Sequence, residues 1–223
     1  PEPMFYDTLE NNHGLKHDPF KALVVPRPIG WISTVSNSGQ FNIAPYSFFN
    51  AMSDRPHYVA FGTSLSKDSE RNINETGEFV CNLASADLAE HMNMTSATVP
   101  HGVDEFKIGK LTAVKCNIVK APRVKEAAAS LECKHFKTIE LPGAGKYRHS
   151  YNMIIGLVVG IHIDDRFIKD GNVDTTAMKP LGRLGYMDYT VVTAESMFEM
   201  NRPTVGPDGA VQAPPKTWDG VYR

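Results

Sequence analysis

Ten consecutive residues, Thr63-Ser64-Leu65-Ser66-Lys67-Asp68-Ser69-Glu70-Arg71-Asn72, set hydroxyls, a lysine and a helix start directly after a strand-like run. With Ser66 or Asp68 as cap, such a helix presents unpaired amides and the positive end of its dipole, which favour a phosphate. Ser64, Lys67 and Ser69 would complete that seat; the same pattern also describes a well-capped surface helix. Upstream, Pro45-Tyr46-Ser47-Phe48-Phe49-Asn50 places flat apolar rings beside backbone amides. Pro45 cannot donate to a sheet ladder, so this segment is expected to leave the sheet as a shaped loop. Arg27, held between Pro26 and Pro28, reads either as an anion contact or as an ordinary surface arginine.

Other chemistries find little footing. Gly143-Ala144-Gly145 runs into Lys146-Tyr147-Arg148 and follows a proline, so the dinucleotide fingerprint is absent. No G-x-S-x-G elbow and no zincin helix is present. His162 and Asp164 would share one face of a strand, which suits a histidine paired with a carboxylate better than a metal, and no metal site is expected. Cys81, Cys116 and Cys133 lack C-x-x-C spacing and are expected as buried free thiols.

The elements that must position these residues are mostly strands. Ile29, Trp31 and Ser33 alternate with Gly30, Ile32 and Thr34, Asn37-Ser38-Gly39 supplies a tight turn, and Phe41 to Ala44 returns. A first strand is expected from Phe20, others over 57–63, 78–84, 111–119 and 131–141, and a helical turn at Ala127-Ala128-Ala129. The most apolar run, Met153 to Ile161, belongs in the centre of a sheet, with Gly156 and Gly160 as bulges. Helices are expected after Asp68, ending at Gly77, and over Ala86 to Met94, where Asp87 and Glu90 suggest a capping box. Short strand spacing with few helices favours a barrel with peripheral helices over a doubly wound sheet.

The 223 residues suffice for one domain with a sizeable core. We read residues 1–19 as an arm over the domain or a partner subunit, 20–193 as the domain, and 194–223 as an extended tail. A formal net charge of -2 with scattered Lys and Arg removes the electrostatic case for nucleic acid or anionic membrane. No apolar run approaches the roughly 18 to 20 residues of a membrane helix, and no charged-then-apolar leader opens the chain; a cytoplasmic location is expected.

Arg27-Pro28-Ile29-Gly30-Trp31-Ile32-Ser33-Thr34, Ala44-Pro45-Tyr46-Ser47-Phe48-Phe49-Asn50, Lys67-Asp68-Ser69 with Asn72, Glu75-Thr76-Gly77-Glu78-Phe79, Asp104-Glu105-Phe106, Leu131-Glu132-Cys133 and the Ile155-Gly156 strand together resemble the flavin reductase-like family, nearest its flavoredoxin-type branch. The resemblance covers residues 20 to 190. It implies a mainly β, FMN-binding split β-barrel with Greek-key-like antiparallel strands, a homodimer, and electron passage from NADH, NADPH or another small-molecule or protein carrier. It further implies that Pro45, Tyr46, Ser47, Phe48 and Asn50 lie along the isoalloxazine and ribityl chain. Thr63, Ser64, Lys67, Ser69 and Asn72 would serve the phosphate end, with Arg27 and Arg183 as further contacts; no catalytic side chain is assigned. Many nicotinamide-using members carry a histidine just before the late I-G; here Ser150-Tyr151-Asn152-Met153 stands there, with His149 a little upstream. An electron-transfer flavoprotein without nicotinamide activity, or a non-catalytic ligand-binding barrel, are the alternatives.

Overall fold

The computed structural model describes residues 2–64 and 67–222. Where the pattern predicts a first strand, the chain forms a short helix α1 (Phe20–Leu23). The Asp18 carboxylate accepts from the Phe20 amide at 2.9 Å and starts it. At its other end the Arg27 guanidinium donates to the carbonyls of Lys21 and Val24, at 2.6 and 2.7 Å. Local apolar residues alone could not foresee an end cap supplied from three to six residues downstream.

The strands follow as β1 (Arg27–Pro28), β2 (Gly30–Val35), β3 (Phe41–Tyr46), β4 (Phe49–Ser53) and β5 (Tyr58–Ser64). Helix α2 (Asp68–Thr76) leads to β6 (Glu78–Leu83), then α3 (Ala89–Met94) and α4 (Glu105–Ile108). Next come β7 (Ala113–Val114), β8 (Arg123–Val124), β9 (Ala129–Leu141) and β10 (Tyr151–Ile163), and last β11 (Ile168–Lys169), β12 (Asn172–Val173), α5 (Thr175–Met178), β13 (Leu181–Arg183) and β14 (Tyr189–Val191). The molecule is mainly β with a few helices at its periphery.

One antiparallel sheet of seven strands, in the order β3-β2-β6-β9-β10-β5-β4, carries the fold. Its two edge strands are neighbours in sequence: only Ser47 and Phe48 separate β3 from β4. Three chain steps reach about 11 Å, so the two edges must curl together at that corner. The Gly62 amide donates to the Phe48 carbonyl at 2.7 Å, and the rings of Tyr46 and Phe61 lie 4.8 Å apart across the seam. Ladder bonds stop there, which leaves a rolled sheet split along one side.

Inside the roll, Ile32, Val59, Phe61, Phe79, Cys133 and Ile154 pack together, and Ile73 of α2 joins them. Trp31 and Ile43 on the opposite face pack against Leu88, Met92 and Phe106 from the helical side. Both faces of β2 are therefore buried, unlike the one-sided alternation of a solvated sheet. Register shifts at Ile155/Gly156 and Val158/Gly160 coil the long β9–β10 pair, as the two glycines suggested. A Cβ at Gly156 would run into the Phe79 ring.

Four further expectations are corrected. Of the segment expected as a loop, only Ser47 and Phe48 leave the sheet: Pro45, opposite Trp31, and Tyr46 stay in β3, an edge strand that needs no outward donor there, and Phe49 and Asn50 already belong to β4. Of residues 111–119 only Ala113–Val114 is strand; the amides of Asn117, Ile118 and Val119 bind the Glu132 carboxylate instead of a neighbouring strand. Ala127 and Ala128 are buried ahead of β9, which begins at Ala129, rather than forming a helix. Residues 86–88 are a 3-10 turn with Ser85 at its cap position but no side-chain capping bond, and Asp87 and Glu90 form no capping box.

Candidate functional site

The seam where the sheet edges meet opens into a groove of about 480 Å³. Its wall is the backbone and side chains of Pro45, Tyr46, Ser47 and Phe48 on one side and Gly62, Thr63 and Ser64 of β5 on the other. Asn93 and Ser96 close it from the end of α3, and Tyr151 from the start of β10. Pro45, Tyr46 and Ser96 also line a second space of about 350 Å³ at the start of α2, where Lys67, Ser69, Arg71 and His101 stand. The two spaces form one track: a flat, ring-walled part leading to a basic end.

The start of α2 brings a helix N-terminus to the end of the track. Lys67 occupies the cap position with extended backbone (ψ 149°), and its side chain makes no capping hydrogen bond. The first-turn amides of a helix have no partner within it, and Asp68 and Ser69, whose amides belong to that turn, line the end of the track. Asp68 is the first helical residue rather than the cap; Ser66 lies outside the described residues. Asp68 also holds His101 at 2.9 Å and Arg71 at 3.2 Å, which fixes two basic side chains at that end.

Beneath the track runs a buried polar chain. The Ser69 hydroxyl donates to Asn42 Oδ1 at 2.9 Å, and Asn42 Nδ2 donates to Glu105 Oε1 at 2.8 Å. The Tyr46 hydroxyl meets the Ser69 and Thr63 side chains; burial raises its pKa, those two hydrogen bonds oppose the rise, and nearby Glu105 and Glu70 add to it. Burial likewise raises the Glu105 carboxyl, and Glu105 Oε2 is buried without a hydrogen-bond partner. Desolvation outweighs the hydrogen bonds that its own and the Ile43 backbone and the Asn42 side chain supply, and the nearby Asp68 charge adds to the rise. The chain pins α2 to β3 and so sets the spacing between the ring-walled part and the basic end.

The predicted residues divide by location. Arg27, Pro45, Tyr46, Ser47, Phe48, Thr63, Ser64 and Arg183 line the groove, and Lys67 and Ser69 line its continuation. Ser69 is buried and its hydroxyl is spent on Asn42, so what it can offer an anion is its amide. Asn72 lines neither space: its amide donates to Thr34 Oγ1 at 2.9 Å inside the fold. Asn50 lines an adjoining apolar space of about 690 Å³, which shares Arg27, Ser47, Phe48, Gly62 and Tyr151 with the groove and which His149 also lines.

Arg27 is a lock as well as a wall. Besides the α1 carbonyls it donates to Leu184 at 3.0 Å, while its buried Nε lacks a partner. Burial, then the neighbouring Arg183, depress its pKa. Arg183 stacks over Tyr189 at 4.5 Å and donates to the Tyr186 carbonyl at 2.5 Å. Among the described residues no carboxylate pairs with either guanidinium, so the groove carries net positive charge. Asn93, Ser96, Arg71, His101 and Tyr151 escaped the sequence reading, because they come from elements that only the roll brings together and no local spacing marks them.

His162 pairs not with Asp164 but with Glu132, Nε2 to Oε1 at 2.6 Å, while Asp164 turns to Arg166 at 2.7 Å. Cys116 lies beside that pair, close enough for three ligand atoms to share an ion. The Glu132 oxygens, however, already accept from His162 and from three backbone amides. Burial pushes the Glu132 carboxyl up, yet these donors outweigh it and bring its pKa down to about 2. Burial drives the Cys116 thiol up to about 12, so it sits there as a protonated thiol. All three cysteines are buried and free.

The profile described as "Flavin reductase like domain" matches residues 22–188. An uncharacterized protein of Aquifex aeolicus is 38% identical over 179 residues, 78% of this chain and 88% of its own. Among solved structures, nitrilotriacetate monooxygenase component B from Bacillus cereus superposes with a TM-score of 0.78 at 28% identity, covering 90% of this chain and all of that one. The 2-nitrobenzoate 2-nitroreductase of Pseudomonas fluorescens gives 0.73 at 26% identity, over 84% and 90% of the two chains. Flavoredoxin of Desulfovibrio vulgaris shares the fold at 22% identity, with a TM-score of 0.68 over 76% and 88%.

Proposed function

The chain belongs to the flavin reductase-like domain family, and from that premise we propose that it is an FMN-binding oxidoreductase passing electrons between NADH, NADPH or another donor and its flavin. The observation that carries the reading is the continuous track from the Pro45–Phe48 wall to the uncapped start of α2. A flavin mononucleotide needs a flat apolar slot, amides along the ring edge and a cationic phosphate end, and this donor set offers all three. Pro45, Tyr46, Ser47, Phe48, Thr63 and Ser64 would hold the ring and ribityl part. Lys67, with the amides of residues 68–70, would hold the phosphate, and Arg27 and Arg183 would set a positive field along the ring. When bound, the flavin supplies reversible electron transfer; the protein orients it, shields one side from water and needs no side-chain acid or base. The names of the two structural neighbours above 25% identity, a monooxygenase component and a nitroreductase, support a redox role.

A second reading, an electron-transfer flavoprotein without nicotinamide activity, is favoured by one feature. Tyr151 and Asn152 occupy the start of β10, and the histidine nearest to them in sequence, His149, is exposed on the far side of Phe48. Purified protein loaded with FMN separates the two. Rapid mixing with NADH and with NADPH should bleach the flavin absorbance under the first reading and leave it unchanged under the second. A chain that is colourless and does not bind added FMN would overturn both. We propose further that two copies pair in the cytoplasm through the apolar surface around Leu23, Val24 and Met52, all exposed here. Light scattering of the purified protein tests the pairing.

A further inference from the structure

The segment ahead of the barrel builds a cavity of its own, about 710 Å³, which abuts the groove but is not part of it. The segment is fixed rather than loose: Lys146 donates its amide to the Leu9 carbonyl at 3.2 Å and its ammonium to the Glu10 carbonyl at 2.7 Å. Gly145 is there because a Cβ would strike Leu9. The cavity walls carry Tyr6 and His17 from the arm and Tyr147 and Tyr186 from the barrel loops, with Lys21 and Met187 at the rim. The rings of His17 and Tyr186 lie 5.8 Å apart and tilted. Lys21, Tyr186 and Met187 line the groove as well, so the two spaces meet there.

Its chemistry is selective. A space of this size lined by five rings, Phe20 being the fifth, suits a flat aromatic ligand, which gains from ring contacts on its faces and edges. The acid in the wall is already committed: Asp18 accepts from the Phe20 amide at 2.9 Å and from the Tyr147 hydroxyl at 3.3 Å. Among the described residues no carboxylate pairs with the Lys21 ammonium, which leaves that cation to meet an anionic group. We propose that this arm-walled cavity binds a planar aromatic carboxylate beside the groove. That such a ligand is a reaction partner of the flavin rests on the function proposed above; its binding does not.

The test is calorimetric titration with 4-hydroxybenzoate, on the protein with and without FMN. One-to-one binding is expected in both states, with a shift of the flavin visible band when FMN is present. Cyclohexanecarboxylate, equally charged but not flat, should bind at least about tenfold more weakly. Tyr6→Ala and, as a variant that keeps the apolar bulk, Tyr6→Leu should each weaken 4-hydroxybenzoate by about tenfold and change FMN affinity by less than about twofold. The proposal is overturned by any of three results: no binding of 4-hydroxybenzoate, equal binding of the two acids or of both variants and wild type, or displacement of the probe by FMN. Failure of FMN to bind would remove the flavin reading alone, since the titration without FMN still reads the cavity.

Discussion

Lys67 is the residue on which the proposed phosphate end turns, since it is exposed, caps α2 without a side-chain acceptor and faces no carboxylate partner among the described residues. Lys67→Ala should therefore raise the Kd for FMN by about tenfold, about 1.4 kcal/mol, while changing that for riboflavin by less than about twofold. Flavin fluorescence quenching measures both, and equal losses would move the phosphate elsewhere. The sequence alone proposes Lys67 because a lysine between hydroxyls at a helix start is a local pattern. For Asn72, by contrast, nothing local shows that its amide turns inward to Thr34. Glu132 gives a second test at this scale. Its folded pKa of about 2 lies below the ordinary carboxylate value near 4.5, so the unfolded chain binds the proton first. Its stabilisation is complete above pH 4.5 and drains away as the pH falls toward 2. Glu132→Gln should cost about 3 kcal/mol at pH 7, because a carboxyl that is 1% exposed loses charge-assisted bonds to three amides and His162. The variant should then lose less stability than wild type between pH 4.5 and 2, as measured by urea unfolding at several pH values.

At the scale of elements, periodicity told most where a strand is buried and continuous. The Met153–Ile161 run lies between β9 and β5, and its two glycines mark the register shifts. It failed where a side chain or an edge replaces the ladder: Glu132 stands in for a strand beside residues 117–119, and the sheet edge lets Pro45 remain in β3. Gly156 shows the difference between tolerated and required. Its neighbours across the roll are the Phe79 ring, fully buried, and Cys133 Cβ, 3.2 Å from where a Cβ would stand. Neither can retreat, so Gly156→Ala should destabilise by about 2 kcal/mol through overpacking. Gly62→Ala meets only the Phe48 side chain, Cβ at 3.3 Å and Cδ2 at 3.7 Å, and should cost less, about 1 kcal/mol, with its larger effect on FMN affinity because Phe48 walls the groove. Denaturant midpoints and flavin titration of the pair separate packing from binding.

For the whole molecule, the consequence of joining the two sheet edges through Ser47 and Phe48 is that the site forms only when the roll is complete. Pro45 and Tyr46 end one edge, Gly62 to Ser64 belong to the strand beside the other, and α2 plugs the interior between them through Ile73. The motif order was visible in the sequence, but the meeting of the edges was not, because it is a property of strand order and no segment states it. The tail stands outside this closure. No residue from 195 to 222 is buried, and β-like pairing there, Thr204–Val205 with Val211–Gln212, is internal to the tail. Ending the chain at Thr193 should then keep a single cooperative transition, with the midpoint moved by no more than about 2 °C and FMN affinity unchanged. Thermal unfolding followed by near-ultraviolet circular dichroism reads this directly. A loss of several degrees would mean that the exposed Phe198, Met200 and Trp218 rest on a second copy in solution and that the roll is stabilised from outside its own chain.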